Sequence, residues 1–128
     1  MKEGGEMRRV FVRGSDLEEV PTSHGEDLPV RKRVYCNRRE NSIPHVMQIA
    51  RSTSIGPVDT ADGHVHRTMV EWYYVVSGRA TFRVGGWSMN AGPDDFIAVP
   101  PNTTHSYVVA EGDVLELFYG GIATKEEA

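Results

Sequence analysis

The apolar positions of this 128-residue chain fall in short runs that are separated by glycine, proline, asparagine and aspartate. Runs of about four to eight residues that are rich in β-branched and aromatic side chains are typical of β-strands. Their regular spacing along the chain favours an antiparallel sandwich or barrel. We therefore predict an all-β fold, with strands at residues 8–13, 31–36, 46–52, 64–67, 71–76, 80–84, 96–99, 104–109 and 114–119.

Two tight turns are predicted between these strands. Gly85-Gly86 favours a two-residue β-hairpin, because glycine readily adopts the positive φ that such a turn requires. Ser77-Gly78 predicts a second turn between neighbouring strands.

The one helix signal lies near the start of the chain. Ser15 and Glu18 form the Ser-x-x-Glu pattern of a helix N-terminus, and Pro21 ends any helix that begins there. We expect one short helical turn. The predicted organisation is an N-terminal arm at residues 1–30, a single barrel at residues 31–121 and a C-terminal tail at residues 122–128.

Composition excludes several classes of partner. Lys and Arg number 14 against 18 Asp and Glu, a formal net charge of −4, so a nucleic-acid partner is not expected.

The single cysteine, Cys36, excludes an internal disulfide framework and is consistent with a reducing compartment. We expect it to be a small buried residue. No apolar stretch is long enough to span a membrane, so we predict a cytoplasmic protein.

Three histidines and a glutamate fall at spacings that a β-barrel can bring together. Side chains two residues apart on a strand share a face, so His64 and His66 can hold one ion. Glu71 would lie on the opposite face of an unbroken strand, so a turn or bend must precede it. His105 must arrive from another strand. Four such ligands would leave two of about six positions for substrate, water or dioxygen.

The interior near this site is predicted to carry phenol rings. Tyr73 shares the face of Glu71, and Tyr107 shares the face of His105. Both tyrosines are candidate catalytic residues that would orient substrate or transfer a proton. The alternative is that they are ordinary aromatic core residues whose hydroxyls reach a partner. Such a lining suits a small, partly apolar ligand with oxygen atoms that reach the metal.

Several other polar residues leave their roles open. Gln48 and Arg51 lie on opposite faces of one predicted strand, so only one of them can point into the barrel. Gln48 would be less costly to bury, whereas Arg51 could hold a carboxylate substrate. His24 is expected to be solvated in the arm, and His45 follows Pro44 in a turn.

Two motifs resemble those of the cupins, a family of small metal-binding double-stranded β-helix proteins. The first is His64-x-His66-x4-Glu71-x6-Gly78, and the second is Pro100-x-Asn102-x2-His105. The resemblance implies a cupin-type double-stranded β-helix (a jelly-roll barrel) with an N-terminal arm. It also implies that one divalent transition metal, Fe, Mn, Ni, Co or Zn, is bound by the predicted ligands His64, His66, Glu71 and His105.

The chain departs from the family motifs at four positions. Val58 and Asp94 stand where the two motifs begin with glycine, and Val109 stands where the second motif ends with asparagine. Asn102 replaces a glycine in the second motif, a mild change because asparagine tolerates the left-handed conformation. These departures concern the loops and leave the predicted ligands in place.

The cupin resemblance implies a metal-dependent enzyme that acts on a small organic molecule bound to the metal through oxygen atoms. Dioxygenase chemistry is the leading expectation. Lyase, isomerase or polyketide-cyclase chemistry is the alternative, and a non-catalytic domain that binds or senses a small ligand is the rival from another class. Because cupins commonly pair, we expect a homodimer, in which the arm around residues 10–12 could add a strand to the neighbouring subunit.

Overall fold

The structure, a computed structural model, describes residues 11–22, 25–39, 43–60 and 65–124 of the chain. Within these residues the chain forms ten β-strands and one short 3-10 helix, Gly14–Asp16. The strands are β1 Val20–Pro21, β2 Val30–Asn37, β3 Val46–Ile55, β4 Val58–Asp59, β5 Met69–Ser77, β6 Ala80–Val84, β7 Trp87–Ala91, β8 Phe96–Val99, β9 His105–Val109 and β10 Val114–Ala123. The predicted all-β fold is confirmed.

Two antiparallel sheets make up the barrel. The larger has six strands in the order β1-β2-β3-β10-β5-β8, and the smaller has four in the order β4-β9-β6-β7. The long central strand β10 pairs with β3 on one side and with β5 on the other. The strands that carry the predicted ligands Glu71 and His105 therefore lie in different sheets, which face each other across the interior.

The apolar core fills the space between the sheets. Phe82 on β6 is 1% exposed, and its ring lies 5.4 Å from that of Tyr73 and 5.3 Å from that of Tyr107. Leu115 and Leu117 on β10 are also buried. These side chains face inward because neighbouring residues of a strand alternate between the two faces of the sheet.

The predicted turns are confirmed. Val84 pairs with Trp87 across Gly85-Gly86, and Gly85 has a φ of 58°. Gly78 follows the end of β5 with a φ of 87°, and a Cβ there would lie 2.0 Å from the Val114 carbonyl oxygen. Glycine at this position is therefore required both by backbone conformation and by close approach.

Asp94 and Asn102, which replace motif glycines, both adopt the left-handed conformation. Their φ values are 74° and 62°. Aspartate and asparagine are the non-glycine residues that best tolerate this region. Asp94 also accepts a hydrogen bond from the Tyr74 hydroxyl at 2.7 Å, which holds its loop against β5. Both positions thus have a left-handed backbone without glycine.

The predicted strand at residues 64–67 is wrong where the structure describes it. Residues 65–68 are outside any strand, residues 67–68 form a bend, and β5 begins at Met69. The bend that the His66–Glu71 spacing required is thus confirmed. Three strands that the sequence pattern missed are short or mostly exposed, namely β1, β4 and β7.

Part of the described N-terminal segment pairs with the larger sheet. Residues 11–13, the described part of the predicted strand at 8–13, are not in a strand. The short helix is present, but its N-cap is Arg13 without a side-chain hydrogen bond, so the predicted Ser15 cap is wrong. Val20 and Pro21 pair with β2 as an edge strand. No helix among the described residues is long and apolar enough to cross a membrane.

Candidate metal centre

Three of the predicted ligands come together at one end of the barrel interior. The Glu71 Oε1 atom lies 2.9 Å from His105 Nε2 and 3.2 Å from His66 Nε2. The three ligand atoms all lie within 4.8 Å of one another. The fourth predicted ligand, His64, lies outside the described residues, and so does His24.

Backbone contacts bring these side chains together from three parts of the chain. The bend before β5 is fixed by a hydrogen bond of 2.8 Å from the Asn102 backbone N–H to the His66 carbonyl oxygen. The turn that contains Asn102 leads directly into β9, whose first residue is His105. The left-handed Asn102 thus connects the loop that carries one histidine with the strand that carries the other.

The ring of His105 is oriented as a metal ligand requires. Its Nδ1 atom lies 3.2 Å from the Thr103 carbonyl oxygen, and its Nε2 atom faces Glu71. Because Nδ1 donates to this carbonyl, Nε2 is the atom that donates to Glu71 when it is protonated and that would bind an ion when it is not. Two imidazole nitrogens and one carboxylate oxygen with open positions suit a divalent transition metal such as Fe, Mn, Ni, Co or Zn. These three side chains could hold one such ion.

The three residues differ in burial, and the two histidines keep the carboxylate charged in spite of it. His105 is 4% exposed, whereas the side chain of His66 is 36% exposed and lies towards solvent. Burial alone would raise the pKa of Glu71. The hydrogen bond from His105 and the charges of both histidines outweigh burial, so the pKa of Glu71 lies below its ordinary value. The carboxylate is therefore present in the charged form that binds a cation.

Three phenol rings surround this carboxylate. Tyr73 hydrogen-bonds to Glu71, Tyr107 lies 3.0 Å from the Ser54 hydroxyl, and Tyr119 stacks on Tyr73 with 5.7 Å between ring centroids. Burial raises the pKa of all three tyrosines above its ordinary value. All three are neutral hydroxyls at ordinary pH. The predicted inward faces of Tyr73 and Tyr107 are confirmed, while their catalytic roles stay a prediction.

A cavity of about 210 Å³ extends from Glu71 along the inside of the larger sheet. Gln48 lines it, whereas Arg51 lies on the outer face and pairs with Glu116. The choice between Gln48 and Arg51 is thus decided for Gln48. The sequence prediction missed several lining residues, which come from the N-terminal segment and the central strands: Thr22, Lys32, Ser52, Met69 and Tyr119.

The missed lysine had a signal in the sequence. Lys32 lies between Val30 and Val34 on β2, and alternation places all three side chains on one face. Val30 is fully buried, so that face is the inner one. Outside the site, His45 is exposed in a turn and Cys36 is buried, as predicted for both residues.

Tyr107→Phe should lower the free energy of unfolding by about 1 to 3 kcal/mol, because it leaves the buried Ser54 hydroxyl without its partner. Chemical denaturation measures the free energy of unfolding of the wild type, Tyr107→Phe, Ser54→Ala and the variant that carries both substitutions. We expect the double variant to be less destabilised than the sum of the single variants. Strict additivity would show that the two hydroxyls do not interact.

Comparison with known proteins agrees with the sequence motifs. The sequence model of the Cupin domain family matches residues 52–119, more than half of the chain. A 56-residue stretch is 38% identical to quercetin 2,3-dioxygenase of Bacillus subtilis (strain 168), covering 43% of this chain but 17% of that protein. The chain thus spans less than a fifth of that relative's length.

Two solved structures share the fold over most of their length. One is a predicted oxalate decarboxylase from Thermotoga maritima, with a TM-score of 0.75 and 20% identity over 89% of this chain and 99% of the other. The second is the polyketide cyclase RemF from Streptomyces resistomycificus, with a TM-score of 0.72 and 16% identity over 92% of this chain and 81% of the other. At these identities the likeness is one of fold. With the family match over residues 52–119, it shows that this chain belongs to the cupin family.

Proposed function

We propose that this protein is a metal-dependent enzyme that acts on a small organic molecule whose oxygen atoms reach the metal. The observation that carries the proposal is the convergence of His66, Glu71 and His105 beside a partly open cavity that His66 and Glu71 line. A structural metal site is usually closed by its protein ligands. Here the described ligands face a cavity in which a substrate can lie.

The chain's own residues would prepare this site for binding. Thr103 fixes the ring of His105 through its carbonyl oxygen, and Tyr73 holds the Glu71 carboxylate by a hydrogen bond. The phenol rings and apolar side chains around the cavity would exclude water from a bound substrate. When bound, the metal would supply Lewis acidity or activate dioxygen.

Dioxygenase chemistry is the leading reaction class, and its support is the sequence similarity to quercetin 2,3-dioxygenase. A second candidate is cyclase, lyase or isomerase chemistry, supported by the similar fold of a polyketide cyclase. Dioxygen distinguishes the two candidates, because only the first consumes it. We favour the first candidate, because quercetin 2,3-dioxygenase is 38% identical in sequence over 56 residues. The polyketide cyclase is similar in fold at 16% identity.

The experiment is to load the metal-free protein with Fe(II), Mn(II), Ni(II), Co(II) and Zn(II) in turn. Each form is offered small enols, phenols and keto acids while oxygen consumption and product formation are recorded. We expect about one ion per chain and turnover in at least one metal form. Turnover with oxygen uptake would support a dioxygenase, and turnover without it would support the second candidate.

His66→Ala is the test variant and His45→Ala its matched control, because His45 is an exposed histidine that does not belong to the ligand group. We expect His66→Ala to lose both bound metal and turnover, and His45→Ala to keep both. Turnover that survives in metal-free His66→Ala would contradict the proposal. Saturable ligand binding without product in every metal form would favour the non-catalytic binding domain.

A further inference from the structure

Lys32 is a charged side chain inside the cavity, away from the candidate ligands. It lies on the inner face of β2, and its Nζ atom donates a hydrogen bond of 3.0 Å to the Gln48 side-chain oxygen. Lys32 is half-buried, and removing part of an ammonium charge from water is costly unless a partner compensates. Gln48 is a neutral partner, so the cavity can still accept an anion beside Lys32.

A bound metal would change the charge balance in the cavity. Apart from the candidate ligand His66, Lys32 and Glu71 are the described lining residues that carry opposite charges. Burial lowers the pKa of Lys32, while the charge of Glu71 opposes that shift and favours the ammonium form. A divalent ion on Glu71 would take up the carboxylate charge and leave the cavity strongly positive. An anionic ligand would restore the balance.

Lys32 and Gln48 together offer several hydrogen-bond donors. An ammonium group has three N–H donors, and in the described part of the chain one of them is used, by Gln48. The Gln48 amide accepts that bond with its oxygen, so its NH₂ group remains for a ligand. Neutral amide and ammonium donors side by side are suited to a carboxylate.

This donor pair lies at a defined spacing from the candidate metal ligands. Gly121 on β10 pairs with Gln48 on one side and with Glu71 on the other, so the three residues form one row across the sheet. Two strand spacings separate the Cα atoms of Gln48 and Glu71 by roughly 10 Å. The Met69 side chain covers Gly121, because a Cβ there would lie 2.2 Å from the Met69 sulfur. A ligand would therefore lie over Met69, in the cavity that Lys32, Gln48, Met69 and Glu71 all line.

We propose that the cavity binds a small dicarboxylate, with one carboxylate at the metal and the other held by Lys32 and Gln48. This rests on the proposed function, because it needs a metal at His66, Glu71 and His105. It adds a substrate class to that function: an acid with two anionic ends separated by a short carbon chain. Lys32 and Gln48 then determine which substrates bind.

The test uses the full chain loaded with Co(II), whose visible absorption reports on ligands that reach the metal. Malonate, succinate and glutarate are titrated beside propionate, butyrate and pentanoate, which have the same numbers of carbon atoms and one carboxylate. We expect at least one dicarboxylate to bind about tenfold more tightly than its partner, as a charge-assisted hydrogen bond would give. Equal binding within all three pairs would overturn the inference.

Three variants locate the effect. Lys32→Met should abolish the preference for the dicarboxylate while leaving the monocarboxylate affinity and the cobalt content unchanged. Arg33→Met removes a positive charge from the same strand on its outer face, where Arg33 pairs with Glu19, and should keep the preference. Gln48→Leu should reduce the preference severalfold. It tests the same donor pair if Lys32→Met does not fold.

The outcomes separate this inference from the proposed function on which it rests. A preference that survives in Lys32→Met, or that is undiminished in Gln48→Leu, would overturn the dicarboxylate inference alone. A wild-type chain that binds no cobalt would overturn both proposals. Cobalt binding with no dicarboxylate preference would leave the metal-dependent function standing and remove the inference about its substrate.

Discussion

Replacing Glu71 with alanine should weaken metal binding about a hundredfold or more, since losing even an outer-shell partner of a metal ligand costs about 10- to 100-fold. Glu71 is the charged member of the three ligands, and its Oε1 atom lies within 3.2 Å of both imidazoles. Without it, two imidazole nitrogens would remain among the described ligands. The carboxylate contributes both a ligand and the negative charge that offsets the cation.

Metal content and thermal unfolding measure this effect. Metal that binds the folded chain raises its melting temperature, so we expect a rise in the wild type and none in Glu71→Ala. Glu116→Ala is the control, because this glutamate on β10 pairs with Arg51 on the outer face. It should keep the metal and the rise. Equal metal affinity in Glu71→Ala and the wild type would show that Glu71 is not a ligand.

Phe82→Ala should lower the free energy of unfolding by about 3 to 5 kcal/mol, the usual cost of removing a buried phenylalanine ring. Phe82 is 1% exposed and contacts the rings of Tyr73 and Tyr107, so its loss leaves a cavity directly below the site. A domain of this size has a total stability of about 5 to 15 kcal/mol. We therefore expect a large part of the stability to be lost.

Chemical denaturation compares Phe82→Ala with Phe11→Ala, which is the same substitution at a residue 70% exposed. Phe11 contacts Arg13, whose guanidinium lies 5.2 Å from the ring centroid, an exposed cation–π pair worth about 0.5 to 1 kcal/mol. Its loss should cost no more than that. A similar loss in both variants would contradict the assignment of Phe82 to the core.

The alternation of side chains made the larger part of the fold predictable. Tyr73 and Tyr107 face inward as their strand positions require, and the bend before Glu71 follows from its spacing to His66. The strand Trp87–Ala91 was missed because its residues are mostly exposed and none is β-branched. A local sequence pattern identifies a strand by its row of buried apolar residues, and in this strand only the last residue is buried.

The site was predictable only where residue type and spacing carry chemistry. His66, Glu71 and His105 were found because imidazoles and carboxylates are metal ligands in any fold. The cavity wall depends on strand order instead: Gln48 and Glu71 are brought into one row by β10. The role of a lysine on an inner face, such as Lys32, can be inferred only when the residues across the cavity from it are known. Pairing between distant strands is not contained in a local pattern.

The aromatic cluster has a consequence for how this protein can change. Tyr73 contacts Phe82, Tyr107, Tyr119 and His105, so the wall beside the candidate metal ligands is also the core of the barrel. A substitution that reshapes this wall would reduce stability along with altering the site. On the opposite wall of the cavity, Thr22, Lys32 and Gln48 are only half-buried, and Thr22 directly follows the two-residue edge strand β1. Changes at these residues should therefore cost less stability than changes among the aromatic rings.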